Sequence, residues 1–454
     1  MKRGIWFAVA AGVVIAIGLT LLALPRGPEW TTSSPEALAE FEAGAEAQSK
    51  VYFKDAQKHF ERAYELDPEF VIAKWRYAGL LHDENPELAE KFFDELMAVD
   101  ISGLNPRERF FIERWRANRD GRPEDAVRLL DEYLERYPDD PQVLSQKAGV
   151  AWFGGDLEEA ERLYQHLLEI SPNRVAAYNS LGYISMMQGR FTESEEYFKS
   201  YRFIAPDQAN PHDSLGELFI TVGRYDEAEE SLERAIEIKP DFWASYEHLA
   251  LMRMVTGEFD GAREIIERAR AAGMPDDALF QLDCLANYHE MKRSMAWRRI
   301  LDERDSECVK GFRVGFAAVA THLAASRVGD WETAHAIEDE AAGMLLSFER
   351  NGDDRTTLLL RSVISHMQGV RLAIQGELGV AEKRFGAADD GLTYMEAGTG
   401  RSKLTNRLLL VETLLAGGKD VDAHELLAEV RSVNPAVAED FEDSRFRVLG
   451  LDRG

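Results

Sequence analysis

The sequence predicts an all-α protein: a solenoid of antiparallel helix pairs preceded by one N-terminal transmembrane helix. Three observations predict it. Pro138, Pro172, Pro206 and Pro240 are spaced by 34 residues, as are Gly121, Gly155, Gly189, Gly223 and Gly257. Small residues at Ala126, Ala160, Ser194, Ala228 and Ala262 and large apolar residues at Leu130, Tyr164, Phe198, Leu232 and Ile266 keep the same step. The stretch Gly4–Leu24, behind Lys2 and Arg3, carries no charge.

Each column has a physical reading. Glycine lets a chain leaving a helix enter the left-handed turn that other residues resist. The proline then stops the second helix. A second small series, Ala148, Gly182, Gly216 and Ala250, marks where the two helices of a pair cross, because close backbone approach tolerates no large side chain there. One pair cannot bury its own apolar face. Stacked pairs bury a continuous core, and the product is a solenoid.

The residues Tyr178, Leu181, Gly182, Ser194, Phe198, Tyr201 and Pro206, followed by Leu215, Gly216, Phe219, Ala228, Leu232, Ala235 and Pro240, resemble the tetratricopeptide repeat family. The resemblance implies a right-handed superhelix whose concave face binds other proteins. Two further segments, Asn210–Glu217 and Leu104–Arg109, look like parts of bacterial arrays that follow a membrane span in sensor proteins.

In chain order, residues 1–3 are expected in the cytoplasm and 4–24 across the membrane, since 21 uncharged residues at about 1.5 Å each reach roughly 30 Å. A cleaved signal peptide is the competing reading, but Leu21-Leu22-Ala23 is a poor cleavage site. Lys2 and Arg3 before the span place the array on the non-cytoplasmic side, in a bacterial periplasm or beyond. Residues 25–36, rich in Pro, Thr and Ser, read as an exposed linker. The array runs over 37–274, about seven repeats, with Gly44, Ala56, Phe60 and Ala63 on repeat positions in the first and Asn85-Pro86 replacing a glycine turn in the second. A degenerate helical pair follows over 275–307, where no glycine stands at the expected turn and Lys292, Arg293, Arg298 and Arg299 form a local basic cluster, read as a solvated face. Divergent repeats over 308–437 start near Gly315, Ser362 and Leu404, and 438–454 is expected to be a cap or tail.

A net charge of −28 excludes a nucleic-acid binder, whose surface must be basic. Gly398–Lys403 has the flavour of a phosphate loop but lacks both the preceding strand and the Gly-Lys-Ser/Thr ending. No nucleophile elbow or zinc-protease helix appears, so the chain reads as no enzyme, without cofactor. Cys284 occupies a small crossing position and is expected to be a buried packing residue, with a bond to Cys308 as the alternative.

The family resemblance implies that first helices line the groove through their second, fifth, sixth, ninth, twelfth and thirteenth positions. The central groove would then present Asn179, Tyr183, Met186, Met187, Asn210, Asp213, Ser214, Glu217, Ile220, Glu247, His248, Met254 and Val255. Acids beside Met and aromatic side chains suit a peptide with basic and apolar residues. Tyr183, Asp213, Glu217 and His248 are expected to be contact residues, with Trp75, Phe111 and Trp115 as a second aromatic region; a cation bound by the acids and His248 is the weaker reading. The function expected is a membrane-tethered scaffold, and the alternative is the sensing partner subunit of a membrane signalling system.

Overall fold

The computed structural model describes residues 30–82, 84–304, 306–308, 316–351, 354–394, 402–442 and 448–451, and all regular structure among them is helical. The expected membrane span over 4–24 lies outside the described residues; no described helix is long and apolar enough to cross a membrane. The chain divides after Arg136 into two compact units.

The first unit holds three pairs: α1 (Pro35–Ser49) with α2 (Phe53–Leu66), α3 (Val71–Leu81) with α4 (Pro86–Ala98), and α5 (Pro106–Arg119) with α6 (Pro123–Arg136). Its entry is not the free linker expected. Trp30 is buried with its ring 4.8 Å from Phe41, and the Thr31 amide donates to Glu108 at 2.6 Å. Glu108 and Asn105 also form a reciprocal capping box that starts α5. Trp75 stacks on Phe111 at 5.9 Å, so these aromatics pack on each other.

In the second unit, α7 (Pro141–Phe153) pairs with α8 (Leu157–Ile170), α9 (Val175–Met187) with α10 (Phe191–Ile204), α11 (Asn210–Thr221) with α12 (Tyr225–Ile238), and α13 (Trp243–Thr256) with α14 (Phe259–Ala271). Then come α15 (Asp276–Arg293) with the short α16 (Trp297–Asp302), α17 (Phe316–Val328) with α18 (Trp331–Asn351), α19 (Asp354–Ile374) with α20 (Leu378–Asp389), α21 (Ser402–Ala416) with α22 (Asp420–Val433), and a last helix α23 (Pro435–Glu442). The pair expected from Ser362 thus starts earlier, at Asp354, because α18 and α19 are each 21 residues long where their central counterparts have 12–14.

The glycine column behaves as its chemistry requires: all five central members have φ between +70° and +86°. Val51 and Met295 take the same place in the α1–α2 and α15–α16 turns, also at positive φ, which is how the latter pair forms without its glycine.

One contact recurs in four of the pairs. A methyl group added at Gly182 would run into the Phe198 ring, at Gly216 into Leu232, and at Gly44 and Gly369 into Phe60 and Phe385, always 16 residues on. In the α17–α18 pair the same two places hold His322 and Glu338, both buried, and the ring contact is replaced by a 2.9 Å hydrogen bond. Arg371 from α19 completes the pairing at 2.8 Å. Burial alone would raise the Glu338 carboxyl, but its bonds to His322 and Arg371 outweigh that and pull it down to about 2.

Neighbouring pairs are tied by ion pairs that share the period: Arg190 to Glu161 and Arg224 to Glu195, both 2.7 Å. A longer-range tie closes the unit on itself. Asn434, fully buried, donates to the carbonyls of Ile220 and Thr221 at the end of α11 and accepts from the Val437 amide at the start of α23, so one side chain caps two helices. Tyr394 packs edge-on to Phe191 at 5.1 Å in the same region.

Cys284 is buried as expected, yet it is bonded to Cys308, with Cα atoms 5.4 Å apart. The small crossing site leaves the sulfur facing the segment after α16, and the unpaired packing role expected for it gives way to a cross-link.

Replacing Gly182 with Leu should force α9 from α10 and lower stability by about 1–3 kcal/mol or more. Changing the exposed Glu230 to Gln should stay within about 0.5 kcal/mol. Urea unfolding of both variants checks this, and equal losses would break the assignment of the small column.

Candidate peptide-binding face

The first helices α9, α11 and α13 lie side by side, and their facing polar residues interlock across intervals of 31 to 35 residues. This follows from the period: a repeat of 34 returns each helix position to the same face of the next first helix. Tyr183 Oη donates to Glu217 Oε2 at 2.9 Å and lies 3.3 Å from Ser214 Oγ. Ser214 Oγ in turn donates to Asn179 Oδ1 at 2.9 Å. One repeat further, Ser245 Oγ donates to Asp213 Oδ1 at 2.8 Å, and His248 Nδ1 meets the same oxygen at 3.0 Å. His248 Nε2 stands 3.8 Å from Glu217 Oε2, which joins the two halves.

Burial opposes a charge on His248, but Asp213 and Glu217 outweigh it and raise the imidazole to about 10, so it is a cation at neutral pH. A protonated imidazole offers no lone pair to a metal. Among the described residues no cluster of three or more His, Cys, Asp or Glu is arranged to hold a metal ion. Burial and the nearby acids hold the Tyr183 phenol well above its ordinary range, so it remains a neutral donor. Glu247 keeps exposed surface, but the packing around it partly desolvates its carboxyl and raises it as well.

The residues expected to line this face separate into two groups. Met186 and Ser214 have no exposed surface, and Asn210, Asp213 and Ile220 are also buried. Asn210 turns to Tyr201 at 3.2 Å, and Met186 and Ile220 belong to the apolar core shared by α9 to α15. Met187, Met254 and Val255 are buried too. Asp213 is therefore corrected from a contact residue to a structural one: its carboxylate is spent on Ser245 and His248. Asn179, Tyr183 and His248 are partly exposed, Glu217 keeps 20% of its side-chain surface, and Glu247 is exposed. Ser245 was missed by sequence reasoning, although its place 34 residues beyond Pro211 marks it as facing α11.

A row of paired helices whose first members carry linked polar side chains on one face defines a helical-repeat binding protein. Residues 116–174, 146–209 and 214–277 match the family model described as tetratricopeptide repeat, and these helix pairs are tetratricopeptide repeats. Such repeats make the chain a scaffold for protein–protein interaction, and proteins built of them are typically not enzymes. Comparison with curated proteins found no match. Among solved structures, residues 41 to the end of MamA from Desulfovibrio magneticus RS-1 share 21% identity, covering 37% of this chain and 95% of that one, with a TM-score of 0.32. A tetratricopeptide repeat protein from Parabacteroides merdae shares 17%, covering 61% and 97%, at 0.36. The Cut9–Hcn1 tetramer of the APC/C shares 12%, covering 88% and 82%, at 0.43. At these identities and scores the likenesses carry no argument about partners.

Because the folded His248 titrates near 10 and a free histidine near 6.5, its contribution to stability is complete below about pH 6.5 and is lost as pH rises through about 10. His248→Gln should therefore cost about 1.5–3 kcal/mol at pH 6, the worth of a hydrogen bond between charged groups, and progressively less towards pH 10. Denaturant melts of both proteins across that range check the convergence.

Proposed function

We propose that this chain is a membrane-tethered scaffold which binds a segment of another protein along the α9, α11 and α13 face, on the non-cytoplasmic side of a bacterial membrane. The observation that carries the binding reading is the polar network itself. It fixes Asp213 and His248 as a compensated pair and leaves Glu217 and Glu247 as the acids at the surface, beside Tyr183 and Asn179. Two carboxylates held on a rigid helical face, with the Tyr183 ring beside Glu217, suit a partner segment bearing Lys or Arg next to apolar residues. Exposed pairs of this kind steer and select a partner more than they tighten it.

The tether rests on the uncharged stretch Gly4–Leu24 and the basic pair before it. The location gains support from the Cys284–Cys308 bond, since structural disulfides persist in oxidising compartments and are rare where thiols are kept reduced. A reporter active only outside the cytoplasm, fused after Gly454, should be active; activity confined to a cytoplasmic reporter would overturn the location without touching the binding reading.

For the face, Glu247→Lys combined with Glu217→Gln should keep helical content and weaken capture of a partner cross-linked from intact membranes by roughly fivefold, since each exposed ion pair is worth about 0.2–1 kcal/mol. Capture by the wild type should also fall as salt rises. Undiminished capture by the folded double variant would remove this face from the account.

A further inference from the structure

The non-helical segment Val448–Leu451 lies against the first helices of the last three repeats. Val448 and Leu449 are buried, Leu449 completely, among Trp297, Leu323, Val370 and Leu409. Its backbone is held as firmly as its side chains. The Glu412 carboxylate accepts the amides of Leu449 at 3.2 Å, Gly450 at 2.8 Å and Leu451 at 3.3 Å. The Arg327 guanidinium, seated over the Trp297 ring at 5.9 Å, donates to the Leu449 carbonyl. Gly450 has φ +63°, and Arg327 fills the space where any side chain at this position would begin.

Three features mark this as a built site. Glu412 is 3% exposed, and the hydrogen bonds its carboxylate makes among the described residues all go to the tail amides. An ionised carboxylate buried without those donors would be costly, so the groove is shaped around an occupant. The lining residues also fall on one helix position. Leu323 and Val370 directly follow the crossing residues His322 and Gly369, and Glu412 follows Val411, 16 residues before Leu427, as Tyr183 and Glu217 follow Gly182 and Gly216. Finally, the selectivity is explicit: two adjacent aliphatic side chains enter an apolar pocket, a glycine passes under Arg327, and main-chain amides are read by one acid.

We infer that the first-helix face of α17, α19 and α21 is a second peptide-recognition site, specific for an extended aliphatic–aliphatic–glycine segment, and that the chain's own Val448–Leu451 is its resident occupant. The tail masks the site in the resting protein, and a partner segment of the same chemistry gains access only by displacing it. This site is distinct from the acidic central face and does not depend on the reading given to that face.

The test uses the full chain. Leu449→Asp drives a charge into the pocket and should unseat the tail. A fluorescent peptide with the sequence of residues 445–454 should then bind the Leu449→Asp protein at least tenfold more tightly than the wild type. Adding Glu412→Leu, or placing Val at the position of Gly450 in the peptide, should lower that binding at least tenfold. Absence of binding to a Leu449→Asp protein of normal helical content and melting, or equal binding to both proteins, would overturn the inference. Should Leu449→Asp fail to fold, amide exchange in the wild type decides: Leu449, Gly450 and Leu451 should be protected, and Glu412→Leu should speed their exchange at least tenfold while α9 to α12 stay unchanged. Equal exchange in the two proteins would also overturn it.

Discussion

The contact between a glycine on a first helix and a ring or branched chain 16 residues later on the second sets the spacing of four of the described helix pairs. Phe60, Phe198 and Phe385 have no exposed surface, and each lies directly over a glycine. Burial of such a side chain contributes about 1.5–3 kcal/mol relative to exposure, but its larger effect is geometric. It fixes how closely two backbones approach, and therefore which positions of the first helix remain free to form a face with the next repeat. The His322–Glu338 pair shows how strong the demand is. When the apolar partners are exchanged for polar ones, the site is kept by a buried hydrogen bond and a third residue, Arg371, brought from the next helix to satisfy it.

Much of this was legible in the sequence because it is periodic. The 34-residue step predicts the pair boundaries, the left-handed glycine turns and the crossing sites, each a local rule repeated until chance is excluded. What the period could not show is where it is broken or where distant segments meet. Val51 and Met295 adopt the glycine conformation without being glycine, so the turn is legible only in its geometry. Asn434 caps a helix more than 200 residues away, and nothing in its local sequence names Ile220 and Thr221 as partners. The Cys284–Cys308 bond falls in the same class: spacing alone does not place two sulfurs within reach.

The candidate face shows the same division at the level of single residues. Tyr183, Ser214, Glu217, Asp213 and His248 meet through hydrogen bonds and close contacts, yet helix position does not decide exposure. Asp213 and Ser214 sit where the first helices touch each other, so their polarity is consumed in holding α9, α11 and α13 in register. Glu217 and Glu247 sit one step outward and keep contact with water. A tetratricopeptide array of this kind presents a surface whose rigidity comes from its buried polar bonds and whose selectivity comes from the few charges left over. In the last repeats the chain lays its own segment, Val448–Leu451, against the first helices.

The central claim, that partners are met on the first-helix face of the central repeats, is tested most directly by photo-crosslinking in intact cells from two single positions. A photoreactive residue in place of the exposed Glu247 on α13 lies on that face, and one in place of Phe203 on α10, 87% exposed, lies at a site outside the network. A discrete crosslinked protein is expected from position 247, joined through a segment carrying basic and apolar residues, and none from position 203. A product from position 203 with none from 247 would contradict it.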